Sequence, residues 1–277
     1  MIGTFEVTNA EYAAFLNAKA DYDPFGLYNP DMAGNGASQR WGGITRSGAP
    51  GTYSYSTIPG REDMPVHYVS FYDALRFVNW LNNADESGET EIGAYTLLGG
   101  TPVPSNGTTV TRNPGAKVFL PSEDEWFKAA YYDGASASYF TYPARSSSTT
   151  DCEAPSAGAN KANCRPANAP PSYLGDMTAR GSYPGSASPY GTFDQGGNVF
   201  EWNESIFDFE GAPQRGRRGG SFTTQDLILA RWHGWASDPT YEALGTGFRV
   251  APEPGRVALL GAGLALLVAI DRLRHRR

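Results

Sequence analysis

The sequence predicts a loop-rich domain of short helices and short strands over residues 1–251, followed by a separate apolar helix in a tail over residues 252–277. Three observations carry that expectation. The 33 glycines and 20 prolines are scattered along 277 residues, which interrupts regular elements without making the chain low in complexity. Hydrophobic residues make up 40% and aromatic residues 13%, enough for a sizeable core and against global disorder. Three helix-start signals of one kind punctuate the chain, each ahead of a short apolar-periodic run.

The first signal is Thr8-Asn9-Ala10-Glu11. In such a capping box the hydroxyl accepts a free backbone N–H, and the acid three residues on reaches back to the cap. Tyr12, Phe15 and Leu16 follow on one face, so a short amphipathic helix is predicted. Residues 21–65 are rich in Gly, Pro, Asn and Tyr and read as an ordered loop held by aromatics. Ser70-Phe71-Tyr72-Asp73 repeats the capping logic ahead of Ala74, Phe77, Val78 and Leu81. Residues 96–120 contain short β-like pieces between Pro and Gly turns. Ser122-Glu123-Asp124-Glu125 opens the third helix, ahead of Trp126, Ala129 and Ala130. Residues 135–188, rich in Ser, Ala, Pro and Asn, read as another ordered loop.

The chain ends APEPGRVALLGAGLALLVAIDRLRHRR. A Pro252-Glu253-Pro254 turn precedes an apolar run from Val257 to Ile270, and arginines follow from Arg272 to Arg277. A helix over about Val257 to Arg274 is predicted, with few contacts to the body. The apolar run spans roughly 21 Å as a helix, short of a ~30 Å hydrocarbon core, and flanking arginines can snorkel to lengthen it. The arrangement resembles the PEP-CTERM sorting signal. That resemblance implies a transient membrane anchor, exosortase-type sorting machinery as a partner, and export to the cell surface or extracellular matrix. Such proteins normally carry a signal peptide, whereas MIGTFEVTNAEY enters domain-like sequence at once, so a start further upstream is expected.

The formal net charge is −7, with the tail positive and the body before it near −10. An acidic body argues against nucleic acid as a partner. The cysteines, Cys152 and Cys164, do not fit a CxxC motif; in an oxidising compartment they are expected to bridge. With three histidines, His67, His233 and the tail's His275, a histidine-built metal site is not expected.

Six blocks then occur in one order: FEVTNAEYAAFLNA, MPVHYVSFYDALRFVNWLN, LPSEDEWFKAAYYDG, YGTFDQGGNVFEW, RRGGSF and GFRVA. Together they resemble the formylglycine-generating enzyme (sulfatase-modifying factor) family over nearly all of residues 1–251. The resemblance implies an irregular α+β fold of the C-type-lectin-like kind. It also implies a cleft beside the GGS block, where catalytic members hold copper with two cysteines. Soft thiolates suit Cu(I). Here GGSFTTQDLILARW puts Thr224 and Leu229 at those positions, so copper and formylglycine generation are not expected, and no catalytic residue is assigned. Ser221, Thr224 and Arg231 remain as cleft candidates. A related branch makes sulfur–carbon bonds with non-haem iron held largely by a preceding helical domain, and no such pattern occurs here.

The resemblance further implies a structural calcium site from the Asp194 and Glu201 carboxylates and the Gly197 and Val199 carbonyls. Carboxylates mixed with carbonyls in a Gly-rich turn suit that ion. A second site would match Asn168 and Asp176 on a looser alignment. The expected function is an exported surface or matrix protein whose aromatic-rich face binds a ligand, glycan or protein; the alternative is an oxidoreductase or other enzyme reusing the family cleft.

Overall fold

The computed structural model describes residues 2–34, 39–83, 88–170 and 172–253. The predicted tail helix and Pro254 lie outside these residues, as does His275. Among the described residues no helix is long and apolar enough to cross a membrane.

Helices α1 (Asn9–Lys19), α2 (Phe71–Asn82) and α3 (Glu123–Tyr131) each begin at a capping box. At α1 the Glu11 N–H donates to Thr8 Oγ1 at 3.3 Å and the Thr8 N–H donates to Glu11 Oε2 at 2.9 Å. Ser70 and Asp73 do the same for α2, and Ser122 and Glu125 for α3. Each pair satisfies two donors that the first helical turn leaves free.

Helix α2 has an apolar and a polar face, but both are covered, because Phe71 to Leu81 are all buried. Its polar side chains find partners in the loop that wraps them. Arg76 Nε donates to Glu91 Oε1 at 2.8 Å, and Asn79 Nδ2 donates to the Thr90 and Tyr95 carbonyls. On the apolar side, Phe77 meets Phe15, Tyr12 and Phe248 with ring centroids 5.3–5.9 Å apart. Edge-to-face and offset contacts of this kind add to area burial.

The strands are short and mostly paired in twos. In chain order they are β1 (Ile44–Ser47), β2 (Ser54–Thr57), β3 (Val118–Phe119), β4 (Tyr132–Asp133), β5 (Ser138–Tyr139), β6 (Asp151–Cys152) and β7 (Lys161–Ala162). There follow β8 (Phe200–Phe209), β9 (Ala212–Arg218), β10 (Trp235–Ser237), β11 (Thr246–Gly247) and β12 (Ala251–Pro252). β1 pairs with β2, β3 with β12, β4 with β5, and β6 with β7.

The larger sheet has the order β10-β9-β8-β11, with β11 parallel to β8. Its hairpin β8–β9 turns through Glu210 and Gly211, both at positive φ (53° and 83°), the backbone that a two-residue hairpin requires. A bulge lies between Trp202 and Ile206. The base of β8 is buried on both faces. Trp202 meets Phe71 of α2, while Glu201 and Asn203 reach Trp126 and Glu123 of α3. The sheet thus sits between α2 and α3 and carries the site residues at its base.

Candidate functional site

The base of β8 holds a buried charge network. Arg249 and Glu201, both fully buried, pair through two bonds of 2.6 Å, from Nε to Oε2 and from Nη2 to Oε1. Trp126 Nε1 donates to the same Glu201 Oε2 at 2.6 Å. Arg249 also donates to the carbonyls of Gly3, Thr4 and Phe193, which fastens the N-terminal strand-like segment to the turn before β8.

Two further carboxyls stand in the same electrostatic neighbourhood. Glu6 is buried with neither oxygen hydrogen-bonded, and burial, then Asp194 and Glu201, push its pKa well above the ordinary value. Its charged form is thus disfavoured by burial and by the two neighbouring carboxyls. Burial raises Asp194 to about 6 against the lowering pull of the Gly181 N–H, which donates to Oδ2 at 2.7 Å. One guanidinium thus supports one carboxylate fully and leaves the other two costly to ionise.

This network bears on the expected calcium site. Gly197 is required by the turn, since it sits at φ 90° and a Cβ there would lie 2.3 Å from the Asn163 carbonyl oxygen. Calcium takes six to eight oxygens. Three hydrogen bonds to Glu201 use most of the roughly four lone-pair positions that a carboxylate offers. Among the described residues no group of three or more His, Cys, Asp or Glu converges to hold a metal. As arranged, the Asp194, Gly197, Val199 and Glu201 set does not fit a calcium ion; Arg249 supplies the positive charge instead. Of the second set, Asn168 lies on an exposed turn, while Asp176 pairs with Arg61 at 2.5 Å.

The turn after GGS is closed on itself. Thr224 Oγ1 accepts from the Ser221 N–H at 2.9 Å and donates to the Ser221 carbonyl at 3.0 Å. Ser221 is 1% exposed, and its hydroxyl is 2.8 Å from that of Thr223. Leu229 is fully buried in an apolar cluster with Tyr142, Ala162, Cys164 and Ala230. Arg231 Nη1 donates to the Tyr139 carbonyl at 3.1 Å, holding β5 against this region. Behind Leu229, a cavity of about 20 Å³ lies between Leu229, Asp194, Gln195 and Tyr183, and Ser221, Thr224 and Arg231 do not line it. That is room for about one water.

The expected cysteine bridge lies against the turn after GGS. Cys152 and Cys164 are bonded, with Cα atoms 4.8 Å apart. Cys164 belongs to the Leu229 cluster and Cys152 packs against it. The Arg165 N–H donates to the Thr224 carbonyl at 2.8 Å, so their loop covers the turn that carries Thr224 and leads to Leu229. The physical reason is apolar: Leu229 needs a cover, and the bridge with Tyr142 supplies it.

His67 is buried, with Nε2 2.6 Å from the Trp41 carbonyl oxygen, and burial lowers its pKa to about 4. It is a neutral core histidine. Glu6, Trp126 and Arg249 are not marked as site residues by the sequence motifs. Each stands in a quoted block, EVTN, DEWF or GFRVA, but nothing in their spacing says that they meet.

An irregular mixed fold with a GGS turn beside an EVTN–GFR ion network defines the class: a formylglycine-generating-enzyme-like domain. The chain belongs to the family of sulfatase-modifying factor enzyme 1-like domains, which matches residues 1–254. It is similar to hercynine oxygenase of Mycobacterium tuberculosis, 26% identical over 256 residues, covering 82% of this chain and 46% of the relative. It is also 28% identical over 213 residues to hercynine oxygenase of Mycolicibacterium smegmatis, covering 74% and 36%. The chain thus spans less than half the length of these relatives. Among solved structures, CarF superposes with a TM-score of 0.64 at 21% identity, covering 91% of this chain and 86% of CarF. PvdO from Pseudomonas aeruginosa superposes at 0.50 and 19%, covering 91% and 79%.

Proposed function

We propose that this chain is a binding module and not a formylglycine-generating oxidase. One observation carries the reading. The two positions that hold copper in catalytic members are a hydroxyl closed on its own turn, Thr224, and a fully buried hydrocarbon, Leu229. Neither donates to Cu(I). The thiols present are joined to each other beneath the turn. The disulfide supports an oxidising compartment, in line with export and surface display. The tail is read as a PEP-CTERM-like sorting signal handled by exosortase-type machinery. The ligand is read as a glycan or a protein, met by the aromatic surface beside β10.

A peptide-oxidation assay with added copper tests this reading. Purified protein is expected to leave a sulfatase-motif cysteine unchanged and to bind no Cu(I) tightly. Turnover that disappears on mutating Cys152 or Cys164 would overturn it. The paired change Thr224→Cys with Leu229→Cys is expected to gain Cu(I) binding.

The second reading, an enzyme, is favoured by the hercynine oxygenases among the relatives. Their activity belongs to proteins more than twice as long as the shared region. The test is turnover of hercynine by this chain, and none is expected.

A further inference from the structure

Four arginines are almost wholly buried among the described residues: Arg76, Arg215, Arg217 and Arg249. Arg76 pairs with Glu91, and Arg249 with Glu201. Arg215 donates to three carbonyls, those of Glu204, Gly107 and Val110. Arg217 has neither a carboxylate nor a carbonyl partner; the Tyr241 hydroxyl is its neighbour instead. Nη1 donates to Thr246 Oγ1 at 2.8 Å, Nη2 donates to Ser237 Oγ at 2.6 Å, and buried Nε has no acceptor. The nearby acids are committed elsewhere: Asp238 accepts from Thr240, and Glu242 from Asn29.

A guanidinium taken out of water without an anion is a costly arrangement, and an orphaned donor on it asks for an explanation. Aromatic rings offset part of that cost. Arg217 lies 4.6 Å from the Tyr241 ring centroid, 5.2 Å from Phe200 and 5.4 Å from Trp202. Two aromatics at its border face solvent. Trp235, opposite Arg217 in the β9–β10 register, is 48% exposed, and Tyr241 is 43% exposed. Trp235 stands edge-on to Phe200 at 6.3 Å, and Phe200 in turn lies against Arg217.

We propose that Arg217 anchors the carboxylate of a ring-bearing ligand, a sugar acid, whose ring lies against Trp235 and Tyr241. The planar fork of Arg matches a carboxylate, and Nε is the free tine. The hydroxyls of Ser237 and Thr246, which now hold the other two nitrogens, are neutral acceptors that an anion outcompetes. The rim carries the hydroxyls of Ser237 and Thr240, suited to a polyhydroxylated ring. The acidic body disfavours a densely charged polyanion and leaves a singly charged group as the better fit.

The site rests on the binding-module reading and names its ligand class. Its probes are glucuronate (ring and carboxylate), glucose (ring alone) and acetate (carboxylate alone), titrated into the full chain at constant ionic strength and read by tryptophan fluorescence and calorimetry. Glucuronate is expected to bind at least about tenfold tighter than acetate or glucose. Trp235→Ala, at an exposed position, is expected to keep the fold and weaken glucuronate binding about tenfold or more. Arg217→Gln is expected to abolish it; if that variant does not fold, Trp235→Ala still decides. Equal binding of acetate and glucuronate, no glucuronate binding at millimolar concentration, or an unaffected Trp235→Ala overturns the proposal. Copper-dependent peptide oxidation would overturn the binding-module reading while leaving these titrations to be judged alone.

Discussion

Asp194 sits at the point where two accounts of the GGNVFEW turn diverge. Burial lifts its pKa from the ordinary 3.8 to about 6. The folded chain therefore holds a proton that the unfolded chain gives up, and stability falls as pH rises from about 4 to about 6. At neutral pH the ionised group costs on the order of 2–3 kcal/mol. Asp194→Asn is expected to raise the melting temperature at pH 7 by roughly 5 °C, with the gain fading near pH 4. Were calcium the resident partner, the same change would instead lower stability in its presence, and added calcium would protect the wild-type chain only. Differential scanning calorimetry at two pH values, with and without calcium, separates the two. Glu201 and Arg249 differ from Asp194 in being mutually paired. Removing either leaves a buried charge alone, a loss of about 3–5 kcal/mol.

At the scale of elements, the three helix starts were legible because a capping box is a local pattern within four residues. Ser70→Ala tests the strongest of them. It removes the acceptor for the Asp73 N–H and the donor to Asp73 Oδ2. The expected cost is about 1–2 kcal/mol in denaturant unfolding, with an unchanged m-value. A change below about 0.3 kcal/mol would mean that tertiary packing alone sets the start of α2. The β8–β9 hairpin was not legible. Its Glu210-Gly211 turn lacks the Asn-Gly or Asp-Gly signature. Its base is buried on both faces, so Glu201 and Asn203 alternate with Trp202 without marking a solvent side. Alternation reports burial only where one face is wet.

At the scale of the molecule, the loop carrying Cys152 and Cys164 covers the turn that holds Thr224 and the buried Leu229. The bridge spans 12 residues, so opening it is expected to cost about 3 kcal/mol through the unfolded chain. The native contacts should respond as well, because Cys164 and Leu229 share one cluster. The paired change Cys152→Ser with Cys164→Ser is expected to lower the melting temperature and to speed proteolysis between residues 150 and 170. An unchanged melting temperature would show that the bridge contributes nothing beyond its neighbours. Loss of the bridge is not expected to create oxidase activity, since Thr224 and Leu229 stay as they are.

By itself the sequence determined the family fold, the three helix starts and the absence of cysteine from the stretch after GGS. Each of these is written in contiguous residues: a capping box, a block order, a stretch without cysteine. Only the tertiary structure decided that Glu201 belongs to Arg249, that the Glu6 carboxyl is buried without a hydrogen-bond partner, that the cysteine loop covers Leu229, and that Arg217 has no counter-ion. These facts concern residues 48, 65 or more positions apart, or the absence of a partner. Charge pairing and desolvation depend on what burial brings within a few ångströms, and sequence spacing carries no record of that distance.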